Sequence, residues 1–162
     1  MLKVTSFLIV GIILFWSIAE GPLRSPEDAL KDFYEGKYRA EDQLKDPLIL
    51  NGRRVLPLIL KELPNKDMIR RRYAIGYIGD GGYVEALPTL LAILEDETEL
   101  NYFRADALEA IFQIDNKLSI KLAEQYVDEP DLFGRVATQI VKGESPVYST
   151  RTYFQAFFNV HH

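Results

Sequence analysis

The chain has 162 residues, 48% apolar and 27% charged, with a formal net charge of −5; this fits about one folded domain and excludes disorder for the body of the chain. The acidic balance argues against general nucleic-acid binding, which draws on phosphate neutralisation by Lys and Arg. There is no cysteine, and the only histidines are His161 and His162, so disulfides, zinc-thiolate sites, thiol nucleophiles and any histidine-based catalytic or metal site within the body are excluded.

Val4 to Ala19 contains no charged residue, follows Lys3 and ends at Glu20-Gly21-Pro22. A basic start, an apolar middle and a small-residue exit at Ser17-Ile18-Ala19 make residues 1–19 a signal peptide. The competing reading is an uncleaved membrane anchor, because sixteen apolar residues exceed the usual signal length yet fall short of the roughly 20 that span a bilayer. Either way the body is expected outside the cytoplasm, periplasmic, secreted or tethered to a membrane, since positive charge stays inside.

Residues 20–47 read as a linker and capping helix. Ser25 can cap, Pro26 suits the first helical position, and Glu27 and Asp28 favour the positive end of the helix dipole, predicting a helix through about Tyr34. Glu41 to Leu63 reads as a helical stretch broken near Asn51-Gly52, with Leu56, Ile59, Leu60 and Leu63 on one face and Pro64-Asn65 as its stop. Ile69, Tyr73, Gly76 and Tyr77 give the next face, closed by Gly79-Asp80-Gly81-Gly82, whose glycines permit a left-handed cap. Val84, Leu87, Leu91 and Leu94 follow, and Phe103, Ala107, Ala110, Ile111 and Ile114 form the cleanest stripe. A third pair comes after Asp115, with Ser119, Leu122, Ala123 and Tyr126, then Phe133, Val136, Ala137, Ile140 and Val141. The acids Glu95, Asp96, Glu97 and Glu99 read as a solvated turn, lacking the order of a calcium loop.

Val55-Leu56-Pro57 recurs as Ala86-Leu87-Pro88, 31 residues later, and Ile78-Gly79-Asp80 has a weaker echo in Ile114-Asp115. These strings, with Arg70-Arg71-Arg72-Tyr73-Ala74-Ile75-Gly76-Tyr77-Ile78-Gly79-Asp80 and Phe103-Arg104-Ala105-Asp106-Ala107-Leu108, resemble the short HEAT-like repeats found in phycobilin lyases and many bacterial repeat proteins. The resemblance covers roughly Leu48 to Lys142 and departs from the pattern at Phe112, where a small residue is expected. It implies an all-α, short α-solenoid of about three helical hairpins over residues 48–143, in which a proline inside each first helix bends the stack toward a concave inner wall.

Within that frame Arg70, Arg71 and Arg72 fan around one helix, so they cannot all address one ligand. The structural reading packs their stems over the stack and pairs them with Asp80 or Asp106; the functional reading makes Arg70 and Arg72, with Arg104 on the next helix, a partner-binding surface. In the tail, residues 144–162, Thr150 or Thr152 can cap a helix on which Phe154, Phe157 and Phe158 share a face. It reads either as the C-terminal cap that a stack needs or as a docking site for a partner or a bilayer.

With no catalytic residue, cofactor or metal expected, the residues point to a non-enzymatic scaffold that holds another protein, of unspecified identity, along the concave face. The alternative implied by the resemblance is a lyase- or chaperone-like enzyme acting on a chromophore or protein substrate. The HEAT-like hydroxylases bind iron through His-Glu pairs, and this chain has no His-Glu dipeptide.

Overall fold

The computed structural model describes residues 24–38, 40–146 and 151–160, and among these the protein is all-helical, with nine α-helices, three 3₁₀ turns and no strand. The apolar segment 4–19, its exit at Ser17-Ile18-Ala19, Thr150 and the two histidines lie outside the described residues.

Helix α1 spans Pro26–Glu35 and starts as its sequence predicts: the Ser25 hydroxyl accepts from the Asp28 N–H at 3.0 Å, with proline in the first turn. A 3₁₀ turn, Glu41–Lys45, leads into α2, Asp46–Asn51. Gly52 then takes φ +59, a conformation that costs a residue with a Cβ, and a second 3₁₀ turn carries the chain into α3, Leu56–Glu62. Helix α4 runs Arg71–Asp80, and Gly82 (φ +60) turns the chain after it. Helix α5 is Leu87–Glu95, α6 Asn101–Ile114, α7 Asn116–Ala123 and α8 Asp131–Val141. The last helix, α9 (Tyr153–Val160), is preceded by Thr152, whose hydroxyl accepts from the Gln155 N–H at 3.3 Å.

Pro57 and Pro88 do not sit inside α3 and α5, where they would bend them. They occupy the first turn, where the missing N–H has no partner to lose, so they start these helices instead. The buried faces also shift from the expected register. Ile69 and Val84 are exposed because each lies ahead of its helix, in the turns before α4 and α5; Val141 is also exposed. Their places in the core go to Ile75 and Ile78 of α4 and to Leu90 and Ile93 of α5.

Helix α6 is the hub, packing against α4, α5, α7 and α8. That role explains why Ala105, Ala107 and Ala110 are all buried: small side chains let four neighbours approach one helix. The contacts repeat along the chain. Arg71 donates from Nε to the Leu63 carbonyl at 2.8 Å, pairs with Glu99 at 2.6 Å and lies over the Phe103 ring at 4.8 Å. Arg104, 33 residues later, donates from Nε to the Leu94 carbonyl at 2.9 Å, faces Glu129 at 3.9 Å and lies over the Phe133 ring at 4.7 Å.

The tail does fold back, yet not onto the last helix pair. Helix α9 packs on α2, at the opposite end of the chain, with Ala156 fully buried.

Candidate functional site

Positions 72, 73, 76 and 80 share one face of α4, and positions 106, 109, 110 and 113 share one face of α6. The two faces meet the turn Glu41–Lys45 and Arg151 of the tail around a cleft of about 540 Å³. Two glycines shape it. At Gly79 an added Cβ would lie 3.0 Å from the Ala110 Cα, so its absence lets α4 and α6 come into close contact; at Gly76 the nearest atom would be Lys45 Nζ at 3.6 Å, so its absence leaves the floor open.

Five carboxylates line the cleft, Glu41, Asp42, Asp80, Asp106 and Glu109, against three bases, Lys45, Arg72 and Arg151. Lys45 pairs with Asp80 at 2.5 Å and Arg72 with Asp106 at 3.1 Å. Arg151 makes the most complete set. Its Nε and Nη2 each reach one oxygen of the buried Asp46 at 2.8 Å, its Nη1 reaches Asp42 at 3.0 Å, and its backbone N–H reaches Asp80 at 3.3 Å. Such a fork-to-carboxylate match is the geometry in which a guanidinium binds most strongly.

Around Asp106 and Glu109 the lining has more acid than base. Burial pushes the Asp106 carboxyl up to about 6 despite the Arg72 guanidinium beside it. Burial, reinforced by the Asp106 charge, pushes Glu109 up to about 7. Asp80 is also raised by burial, with Lys45 and Arg151 pulling the other way. Two buried oxygens facing this region, Asp80 Oδ1 and Gln113 Oε1, accept no hydrogen bond. Tyr73 donates its hydroxyl to Glu41, and burial followed by that bond pushes its phenol up to about 12. The arrangement is a desolvated carboxylate surface whose unmet demand is for positive charge and hydrogen-bond donors.

Of the arginines expected to meet a partner, only Arg72 opens onto the cleft. Arg70 donates its guanidinium to the Phe33 and Gly36 carbonyls, fastening α1 to the start of α4. Arg104 is buried between the Leu94 carbonyl and the rings of Tyr126 and Phe133, which removes it from the surface. The expected pairing of this arginine run with Asp106 is present, through Arg72. Glu99 departs from the solvated turn expected for it, being buried against Arg71. Phe154, Phe157 and Phe158 are exposed on α9, away from the cleft lining.

Sequence reasoning missed Glu109 and Arg151. The available signal was one of register: positions 72, 73, 76 and 80 correspond, 33 residues on, to Ala105, Asp106, Glu109 and Gln113, which places Glu109 on the matching face of the later helix. Nothing local marks Arg151, whose partners lie about a hundred residues away along the chain.

Among the described residues no group of three or more acidic or histidine side chains is placed to hold a metal ion, and no helix is long and apolar enough to cross a membrane. Compared with known proteins, the chain matches no family model, no curated protein and no solved structure.

Proposed function

We propose that the protein is a non-enzymatic binding module: a short α-solenoid of HEAT-like hairpins, exported or tethered through residues 4–19, that holds a basic segment of another protein along the face formed by α4 and α6. The observation that carries this reading is the surplus of desolvated carboxylate in the cleft, where Asp106 and Glu109 share one partly exposed arginine. A Lys or Arg side chain entering there would supply the missing charge and donors, and relieve a cost the fold otherwise bears. The protein's own Arg151, already bound by Asp42 and Asp46, is a worked example of that chemistry. The repeat reading draws support from the paired Arg71 and Arg104 contacts, 33 residues apart, close to the 31-residue shift of the sequence.

Calorimetric titration of the full-length protein in detergent with a hexa-arginine peptide tests the proposal. Binding should weaken roughly tenfold or more in the Asp106→Asn/Glu109→Gln double variant, the loss of one or two charge-assisted contacts. It should be unchanged in Glu95→Gln/Glu97→Gln, which removes equal charge from a turn outside the cleft lining. Equal weakening in both would show general attraction to an acidic protein and overturn the assignment to the cleft.

A further inference from the structure

Helix α9 carries no charged residue, and its exposure is concentrated on rings: Phe154 is 71% exposed, Phe158 57%, Tyr153 49% and Phe157 39%. The one adjacent charge, Arg151, is turned inward onto Asp46. Taking about 200 Å² for a whole ring side chain, the four expose roughly 430 Å² of continuous aromatic surface. The rings also support one another, with Tyr153 stacked on Phe157 at 6.2 Å and Phe157 edge-on to Phe158 at 5.9 Å.

The position of this surface is informative. Helix α9 rests on α2, and the last residue of α2, Asn51, donates its side-chain amide to the Arg24 carbonyl at 2.7 Å. The first described residue is therefore fastened to the helix that supports the aromatic patch. Only Glu20 to Leu23 separate Arg24 from the uncharged stretch Val4 to Ala19, so Ala19 lies within about 18 Å of Arg24 even with the chain fully extended. The uncharged stretch of the sequence therefore ends, counted along the chain, within five residues of the point fastened to the helix under the patch.

We propose that the aromatic face of α9 lies in the interfacial layer of a lipid bilayer, beside the point where residues 4–19 enter the same bilayer. An eight-residue helix is only about 12 Å long, so it lies flat in the interface and does not cross. A second copy of the chain fits less well, since roughly 430 Å² falls short of the about 800 Å² per partner of a stable interface. Cover by residues 4–19 alone also fits less well: that stretch is apolar on all sides, and resting one side on α9 would leave the others in water. A bilayer covers both surfaces together.

This inference rests on the tethered form of the reading above, and the test lets the two fail separately. Because the chain has no cysteine, Phe158→Cys, Ile12→Cys and Lys117→Cys each give a single nitroxide site in the full-length protein. The labelled chains are placed in vesicles of phosphatidylcholine and phosphatidylglycerol, and collision with oxygen and with a water-soluble nickel complex is measured. The label at 12 is expected deep, the label at 117 in water, and the label at 158 with an oxygen-to-nickel ratio roughly threefold or more above that at 117, as for an interfacial helix. A deep label at 12 with a label at 158 that reads like 117 overturns the docking of α9 and leaves the tether standing. A label at 158 shielded from both reagents means that protein covers the patch, which also overturns it. Interfacial depth at 158 with the label at 12 in water supports docking and removes the tether. Phe154→Cys, labelled likewise, must agree with 158, since both rings are exposed and neither substitution disturbs the core.

Discussion

Replacing Arg71 by Met should be among the most damaging single changes in the protein, although the residue sits in a run of three arginines that looks like surface charge. The side chains of Arg71 and Glu99 are only 2% and 3% exposed. Met keeps most of the stem packing but leaves a buried carboxylate with no base, a loss of about 3–5 kcal/mol. The Leu63 carbonyl also loses its donor, which adds about 1 kcal/mol where the gap cannot take up water. At roughly 2–4 °C per kcal/mol for a chain of this size, melting should fall by roughly 8–24 °C. Arg53 and Glu85 also pair, at 2.5 Å, but their side chains are 66% and 40% exposed, so Arg53→Ala should cost no more than about 1 kcal/mol. Urea unfolding of the two variants, together with Arg71→Met/Glu99→Leu, measures the difference. The double variant should recover most of the loss, because the stranded charge has gone. If Arg71→Met costs no more than Arg53→Ala, or the double variant is worse than the single, the buried pair is not what Arg71 contributes.

Glu109→Gln should stabilise the protein at pH 8 by on the order of 1–2 kcal/mol, after allowing for partial exposure, and change little at pH 4. The sign follows from the raised carboxyl: its contribution is fully present below the ordinary value of 4.5 and is lost as pH rises through about 7, so unfolding free energy measured against pH should flatten in the variant. Arg70→Ala should speed amide exchange in α1 by roughly tenfold, the effect of about 1.4 kcal/mol of local opening, because its bonds to the Phe33 and Gly36 carbonyls are lost; Arg72→Ala should leave α1 exchange unchanged. Gly79→Ala should cost about 1–3 kcal/mol by driving a methyl into the Ala110 backbone at 3.0 Å, whereas Gly76→Ala, with 3.6 Å of room, should be neutral or stabilising by up to about 1 kcal/mol in the same urea assay.

The helices were largely legible in the sequence because local chemistry decides where they begin and stop. Ser25-Pro26 starts α1, Asn51-Gly52 breaks the following stretch, and Gly82 turns the chain after α4. The faces were less legible. A stripe drawn through Ile69 and Val84 begins a turn too early, since periodicity continues into a turn that the backbone has not yet wound into helix. The prolines misled for a related reason: Pro57 and Pro88 lie inside apolar runs, and only the observed helix starts place them in first turns. The cleft was half legible. Arg72 and its partner Asp106 were both named, but Glu109 gains its character from burial against a neighbouring helix, and Arg151 from a fold-back that no local pattern encodes.

Arg71 and Arg104 also bear on how successive helix pairs are held in register. Each reaches back to the last turn of the first helix in its own pair, at Leu63 or Leu94, and forward to the turn that opens the second helix of the next, at Glu99 or Glu129. One side chain thereby fixes three segments, and its guanidinium lies over a ring, Phe103 or Phe133, contributed by the next helix pair. The device weakens along the chain: the Arg71 pair is fully buried at 2.6 Å, while Glu129 is 34% exposed and 3.9 Å from Arg104. On the proposed repeat reading, the last junction should then open first. Arg151 acts at the other end, drawing the tail onto Asp46 and across the first junction. The α4–α6 face, where the cleft lies, is therefore braced by Arg71 on the far side of α4 and by Arg151 within the lining, so its carboxylates are held in place.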